Sequence, residues 1–155
     1  MMGAMHPPTP HPFRLALILA ALATLGPFSI DTFLPAMPAI GQALHAPPLA
    51  VQQALTVYLL GFGVMMLWHG AISDAVGRKP VIVISTAVFT LASVGCAFAQ
   101  TLPQLLVFRA LQGISGGAGL IVGRAIIRDC FDGAAAQRLM SHVTMLFSLS
   151  PAVVP

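Results

Sequence analysis

Long apolar segments separated by short polar loops make up most of this chain. About 20 apolar residues in a helix cross the hydrocarbon core of a bilayer, and most of these segments reach that length. None of them alternates polar and apolar residues as the strands of a membrane β-barrel do. We therefore predict an all-α integral membrane protein, with helices at about residues 15–40, 51–72, 81–99, 104–127 and 139–155, the last one cut short by the end of the sequence.

The composition indicates that lipid is the main solvent of the chain. Only 7% of the residues are charged and 57% are hydrophobic, whereas soluble domains carry roughly 25% charged residues. A soluble fold of this length needs more polar side chains to cover its surface. The net charge of +3 does not indicate nucleic-acid binding, because almost every base flanks an apolar segment. We expect the lipid bilayer as a partner, and no nucleic acid.

The positions of the bases predict the orientation of the helices. Cytoplasmic loops of membrane proteins carry an excess of Lys and Arg. The first and third loops of this chain have neither. We predict a cytoplasmic N-terminal tail over residues 1–13 and a multi-pass helical part over residues 14–155. With that topology all the bases near helix ends fall on the cytoplasmic side: Arg14, Arg78, Lys79, Arg124, Arg128 and Arg138.

Two charged residues lie well inside the predicted helices. Asp31 is in the outer half of the first helix, and Arg109 is in the outer half of the fourth. A rise of about 1.5 Å per residue places them ~14 Å and ~9 Å from the outer ends of their helices, so the two side chains could meet or share a polar cavity. Each charge costs roughly 3 kcal/mol or more at the bilayer centre, and such residues usually have a function. The alternative is a charge pair that only fixes helix packing.

No arrangement of residues typical of an enzyme accompanies these charges. The sequence has no second carboxylate at general-acid spacing, no Ser-His-Asp arrangement and no Gly-rich phosphate loop. No spacing of Cys and His indicates a metal site. We therefore expect neither catalysis nor a cofactor, and we predict no catalytic or metal-binding residue.

Glycines and prolines are placed as in a bundle of closely packed membrane helices. The fourth helix carries two small-xxx-small pairs, Gly113 with Gly117 and Gly119 with Gly123, which allow helices to approach closely. This packing pattern is common to many membrane proteins. Three prolines are expected to bend or unwind the first helix around Asp31: Pro27, Pro35 and Pro38.

A charged turn between the second and third apolar segments carries the most specific motif. It runs from Gly70 to Lys79 with the pattern G-x-x-x-D-x-x-G-R-K. The pattern resembles the signature loop of the major facilitator superfamily of secondary transporters, except that Ala75 stands where a base often follows the aspartate. The resemblance implies a conformational-switch loop whose arginine pairs with an acid at the inner end of the fourth helix. The residues concerned are Gly70, Asp74, Gly77, Arg78, Lys79 and Asp129.

Two further motifs resemble those of the proton-coupled drug exporters in this superfamily. The run Arg109-x-x-Gln112-Gly113 is similar to their fourth-helix motif, whose arginine is associated with proton coupling. The run from Asp31 to Pro38 is similar to the first-helix signature of the Bcr/CflA drug-resistance branch. The resemblance implies efflux of small amphipathic drugs across a bacterial inner membrane, driven by the proton gradient. Asp31, Arg109 and Gln112 would then couple the proton to the substrate.

The length of the chain bears on how much of this fold it supplies. The family has two six-helix halves, with the substrate path between them. Four helices and the start of a fifth imply the N-terminal part of a twelve-helix fold, by truncation or an incomplete gene, whose partner is the missing C-terminal half. We expect this fragment to be inactive alone. Two other interpretations stay open: a superfamily exporter of another small solute, such as a sugar or metabolite, and a small membrane interaction protein that does not transport.

Overall fold

Helices account for nearly all of the residues that the structure describes. The structure is a computed structural model, and it describes residues 12–131 and 133–148. Its helices in chain order are α1 (Pro12–Ala43), α2 (Pro48–Val76), α3 (Arg78–Ala97), α4 (Leu102–Gly116), α5 (Ala118–Cys130) and α6 (Gly133–Ser148). The prediction of an all-α fold is confirmed for this part of the chain.

The helices are long and apolar enough for a multi-pass membrane protein. Four stretches qualify by length and composition: Phe13–Ala43, Pro48–Val76, Arg78–Ala97 and Leu102–Cys130. Large apolar side chains on their outer surface remain exposed, among them Leu60, Leu67 and Leu91. Hydrocarbon is the medium in which such side chains are stable. The predicted boundaries of these four segments differ from the observed ones by only a few residues.

The last predicted helix begins earlier than expected. α6 starts at Gly133, whereas the sequence predicted a start at about residue 139. The polar residues Gln137 and Arg138 lie near the start of α6, so the apolar pattern begins only after them. The remainder of the predicted helix, residues 149–155, lies outside the described residues.

The first helix is continuous through its prolines. α1 runs from Pro12 to Ala43 with Pro27, Pro35 and Pro38 inside it. The prediction was a bend or an unwinding around Asp31; the unwinding is wrong, and the bend stays a prediction. Each proline removes one N–H donor from the helix, and the hydrogen bonds on either side of that position hold the turn together.

The connection between α2 and α3 is much shorter than its motif suggested. α2 continues to Val76 and α3 begins at Arg78, so Gly77 alone joins the two helices. Gly77 has φ 107° and ψ 152°, a conformation that glycine adopts without strain and other residues do not. The expectation of a loop from Gly70 to Lys79 is corrected, because the other residues of the motif lie on the two helix ends.

The predicted fourth helix consists of α4 and α5, which meet at Gly117. Two adjacent glycines, Gly116 and Gly117, weaken the helix here, since each is about 1 kcal/mol less favourable than alanine in a helix interior. Hydropathy does not reveal such a break, because the residues on both sides are apolar. Together the two helices still have the length of a single membrane span.

α4 and α5 lie at the centre of the bundle, with α4 packed on α2 and α3, and α5 packed on α1 and α3. The helices approach most closely at two of the predicted packing glycines. A Cβ atom at Gly113 would overlap the backbone carbonyl of Tyr58, and one at Gly119 would overlap that of Leu22. A Cβ atom would meet only ordinary van der Waals contacts at the other two, Gly117 and Gly123.

Candidate functional site

Arg109 of α4 is buried inside the bundle, with 3% of its surface exposed. Its Nη1 donates one hydrogen bond to Ser29 Oγ of α1, at 2.8 Å, and another to Gln112 Oε1, at 2.9 Å. Gln112 lies three residues further along α4, and residues at that spacing share a helix face. The structure therefore brings together two of the residues that the sequence singled out.

Gln112 extends the polar network from α4 to α3. Its Nε2 donates a hydrogen bond to Ser93 Oγ, at 2.7 Å. The thiol of Cys96, one turn further along α3, lies 3.5 Å from Gln112 Oε1 and donates to it. Gln112 Oε1 thus accepts from both Arg109 and Cys96. A single connected network joins side chains of α1, α3 and α4.

Two aromatic rings lie against the guanidinium group of Arg109. Its Cζ atom is 3.8 Å from the ring centroid of Phe33 on α1 and 4.9 Å from that of Tyr58 on α2. Both distances are within the range of cation–π attraction. The hydroxyl of Tyr58 donates a hydrogen bond to the carbonyl oxygen of Gly26, at 2.8 Å. Residues from three helices therefore surround the buried cation.

Apart from Gln112, the sequence did not identify the partners of Arg109. Ser29 and Phe33 lie four residues apart on α1, a spacing that puts them on one helix face. That spacing, next to a predicted functional residue, was the one available signal. Nothing in the apolar pattern of α2 distinguishes Tyr58 from a packing residue.

A cavity of about 690 Å³ lies beside this network. α1, α3 and α4 form its walls, and most of the lining side chains are apolar. Its polar lining comes from the network and from one nearby hydroxyl: Ser29, Thr32, Ser93, Cys96, Arg109 and Gln112. Its volume and its few polar groups are typical of sites for small ligands.

Asp31 does not join this site. It is half-exposed, and no ion pair or hydrogen bond links its carboxylate to Arg109 or to any other side chain that the structure describes. Residues along a helix turn by about 100° each, so Asp31 lies about 200° around α1 from both Ser29 and Phe33. The expectation that Asp31 and Arg109 meet is wrong, because similar depth in the membrane does not fix the face of the helix.

The residues of the charged motif form a second cluster, at the ends of α2, α3 and α5. Arg78 Nε pairs with Asp129 Oδ2 at 3.0 Å, and Arg78 Nη1 pairs with Asp74 Oδ1 at 2.6 Å. Arg78 Nη1 also donates to Ser73 Oγ, at 2.6 Å. The contact between Arg78 and Asp129 is the one that the family resemblance implies. Arg78 ties the three helices together at one end of the bundle.

The remaining motif residues lie around this cluster, and the carbonyl oxygen of Gly70 accepts a hydrogen bond from Ser73 Oγ, at 2.9 Å. Gly70 is on α2, where a Cβ atom would lie 3.8 Å from Ile121. Lys79 is exposed at the start of α3 and forms no ion pair within residues 12–131 and 133–148. In the same ranges no group of three or more His, Cys, Asp or Glu side chains is close enough to hold a metal ion.

Comparison with known proteins identifies the family to which this chain belongs. Residues 17–155 match the family model described as Major Facilitator Superfamily. The chain is 38% identical over 141 residues to an uncharacterized MFS-type transporter, YdgK, of Bacillus subtilis, covering 91% of this chain and 35% of that protein. It is 36% identical over 142 residues to the multidrug resistance protein MdtL of Klebsiella pneumoniae, covering 92% and 36%. The chain therefore spans about a third of the length of the curated relatives it matches.

Proposed function

Because the chain belongs to the Major Facilitator Superfamily, we propose that it forms part of a secondary transporter that exports small amphipathic drugs in exchange for protons. The family match over residues 17–155 is the observation that carries this proposal. The relatives that are named multidrug resistance proteins favour drugs as the substrate class. The run from Asp31 to Pro38 favours the Bcr/CflA branch. No cofactor is needed, since the proton gradient drives export.

The network around Arg109 supports proton coupling. A buried cation inside a membrane span is costly, and such residues usually belong to ion or substrate pathways. Arg109 and Gln112 face a mostly apolar cavity and are connected to α1 and α3 by hydrogen bonds. We assign them the coupling of proton movement to helix movement.

Asp31 is the proposed group that binds a proton or a cationic drug, but not both at once. Its carboxylate has no contact with Arg109, so the two charges act on each other through α1. Ser29 and Phe33 flank Asp31 on that helix, and both contact Arg109. A rotation or tilt of α1 on protonation of Asp31 would therefore move the contacts of Arg109.

The Arg78 cluster is the proposed conformational switch. Its ion pairs to Asp74 and Asp129 connect the ends of three helices and are partly exposed, so they can break and re-form when one half of a transporter moves against the other. Gly77 permits the sharp connection that puts Arg78 within reach of both acids.

The proposed location is the bacterial inner membrane, with the N-terminus in the cytoplasm. The exposed bases at one end of the bundle support this orientation, because cytoplasmic ends of membrane helices are enriched in Lys and Arg. They are Arg14, Lys79, Arg124, Arg128 and Arg138. The C-terminal half of the same transporter is the proposed partner, and the chain alone is proposed to be inactive.

The two alternative functions would require different residues around the cavity. An exporter of sugars needs many hydrogen-bonding groups in its cavity, whereas the walls that this chain contributes are mostly apolar. A small interaction protein that does not transport has no use for a buried arginine beside a cavity. Both alternatives therefore fit the structure less well than a drug exporter.

Drug export from cells tests the proposed function. The protein, as its own gene encodes it, is expressed in bacteria that lack their own drug exporters, and the accumulation of a fluorescent cationic drug is measured. We expect accumulation to fall, and to be restored when a protonophore collapses the proton gradient. Equal accumulation with and without the protein, over a panel of amphipathic drugs, would rule the function out.

A further inference from the structure

Arg109 is a buried cation without a carboxylate partner in the described structure. A guanidinium group has five N–H donors. Nη1 uses its hydrogens on Ser29 and Gln112, while Nε and Nη2 are buried and have no hydrogen-bond acceptor among the described residues. The ion pairs that the described residues form all involve Arg78, not Arg109. Within residues 12–131 and 133–148, groups other than an acid stabilise this charge.

The rings of Phe33 and Tyr58 are the groups in position to do so. The face of an aromatic ring carries negative charge density, and its attraction for a cation grows when water is excluded. Phe33 is 7% exposed and Tyr58 is fully buried. The guanidinium carbon lies over both rings, at 3.8 Å and 4.9 Å from their centroids. Arginine, unlike lysine, stacks well on such faces.

Both rings are held in place by the surrounding helices. The hydroxyl of Tyr58 is anchored to the carbonyl of Gly26 on α1, and the backbone of Tyr58 lies directly against Gly113 of α4. Phe33 packs in an apolar cluster with Val51, Ala54 and Leu105. The rings therefore present fixed faces rather than mobile side chains.

We propose that Phe33 and Tyr58 are positioning residues that hold the charged guanidinium of Arg109 in place of a carboxylate. This inference rests on the proposed function, because it assigns the two rings to the coupling site of the transporter. It has a mechanistic consequence. A cation held by rings and neutral hydrogen-bond acceptors loses no ion-pair partner when Asp31 is protonated. Protonation of Asp31 then acts on Arg109 only through movement of Phe33 and Ser29 with α1.

A double-mutant cycle on thermal unfolding tests the positioning role without any measurement of transport. The protein, at the length that its gene encodes, is purified in detergent in four forms: wild type, Phe33→Leu, Arg109→Met and the double variant. If the ring holds the cation, Phe33→Leu lowers the melting temperature at least about twice as much with Arg109 present as with Arg109→Met. Loss of packing is common to both backgrounds and cancels. Equal falls in the two backgrounds would overturn the proposal.

Three further variants make the result specific. Phe28 lines the same cavity but has no ring contact with Arg109 in the described structure. Phe28→Leu should therefore lower the melting temperature by the same amount with Arg109 present as with Arg109→Met. Phe33→Tyr keeps its ring face and should keep the pH profile of drug export, whereas Phe33→Leu should change it. Tyr58→Phe keeps its ring face but loses the hydrogen bond to Gly26, so it should change the profile less than Phe33→Leu does. If the double-mutant cycle is non-additive but the protein shows no proton-driven export, the proposed function is refuted and the positioning role of the two rings stands.

Discussion

Alanine at Gly113 should separate α2 from α4 and destabilise the bundle. A Cβ atom at this position would overlap the carbonyl oxygen, carbonyl carbon and Cα of Tyr58. These are backbone atoms, so no change of rotamer can relieve the overlap, and the two helices must move apart. Gly123 is the matched control, because it lies in the same small-residue pattern but its added Cβ would come no closer than 3.6 Å to Leu19 Cδ2.

The magnitude follows from two opposing effects. Replacing glycine with alanine in a helix interior stabilises a protein by about 0.5–1 kcal/mol, through helix propensity and the entropy of the unfolded chain. At Gly123 nothing opposes that gain, so we expect up to about 1 kcal/mol of added stability. Overpacking a core costs about 1–3 kcal/mol, and an overlap with backbone lies at the upper end of that range. Gly113→Ala should therefore lose about 2 kcal/mol, and the two variants should differ by about 3 kcal/mol.

Thermal unfolding in detergent measures this difference. Each variant is heated, and the folded fraction is followed by size-exclusion chromatography or intrinsic fluorescence. Gly113→Ala should melt below wild type, and Gly123→Ala at or above it. A Gly113→Ala variant as stable as Gly123→Ala would refute the close contact between α2 and α4 and, with it, the placement of Tyr58 beside Arg109.

Three other outcomes follow from the proposed function. Asp31→Asn should abolish proton-driven drug export while the protein still inserts in the membrane, as checked by efflux assays and membrane fractionation. Wild-type export by this variant would exclude Asp31 as the group that binds the proton. Asp74→Asn should lose most transport without a change of topology, because it removes one of the two ion pairs of Arg78 while acids contribute little to orientation. Normal transport by Asp74→Asn would mean that the charged residues of this motif only set the topology. The 155-residue chain alone should insert but not move drug into or out of liposomes under a pH gradient, and flux above that of empty vesicles would show that it is active without a partner half.

The membrane spans could be predicted because they depend on a property that each segment has by itself. A run of about 20 apolar residues spans a bilayer whatever its neighbours are. The same holds for Gly113 and Gly119, each of which is the first member of a small-xxx-small pair, and for Arg109 and Gln112, whose spacing puts them on one face of a helix. These predictions needed no knowledge of how the helices are arranged.

The contacts of the site could not be predicted because they depend on which helix faces meet. Depth in the membrane suggested a contact between Asp31 and Arg109, and only the packing of α1 shows that Asp31 lies on another face. Tyr58 reads as one more apolar residue until α2 is placed against α4. The break at Gly117 also depends on packing, since glycine permits both a continuous and an interrupted helix.

Simultaneous measurement of drug and proton movement tests the central claim most directly. The purified protein, as its own gene encodes it, is reconstituted in liposomes with a pH-sensitive dye inside, and a fluorescent cationic drug is added under an imposed pH gradient. We predict that drug and protons move in opposite directions, that each flux requires the other, and that Arg109→Gln loses both. Drug movement that continues without proton movement in the wild-type protein would contradict the assignment of this chain to a proton-coupled exporter.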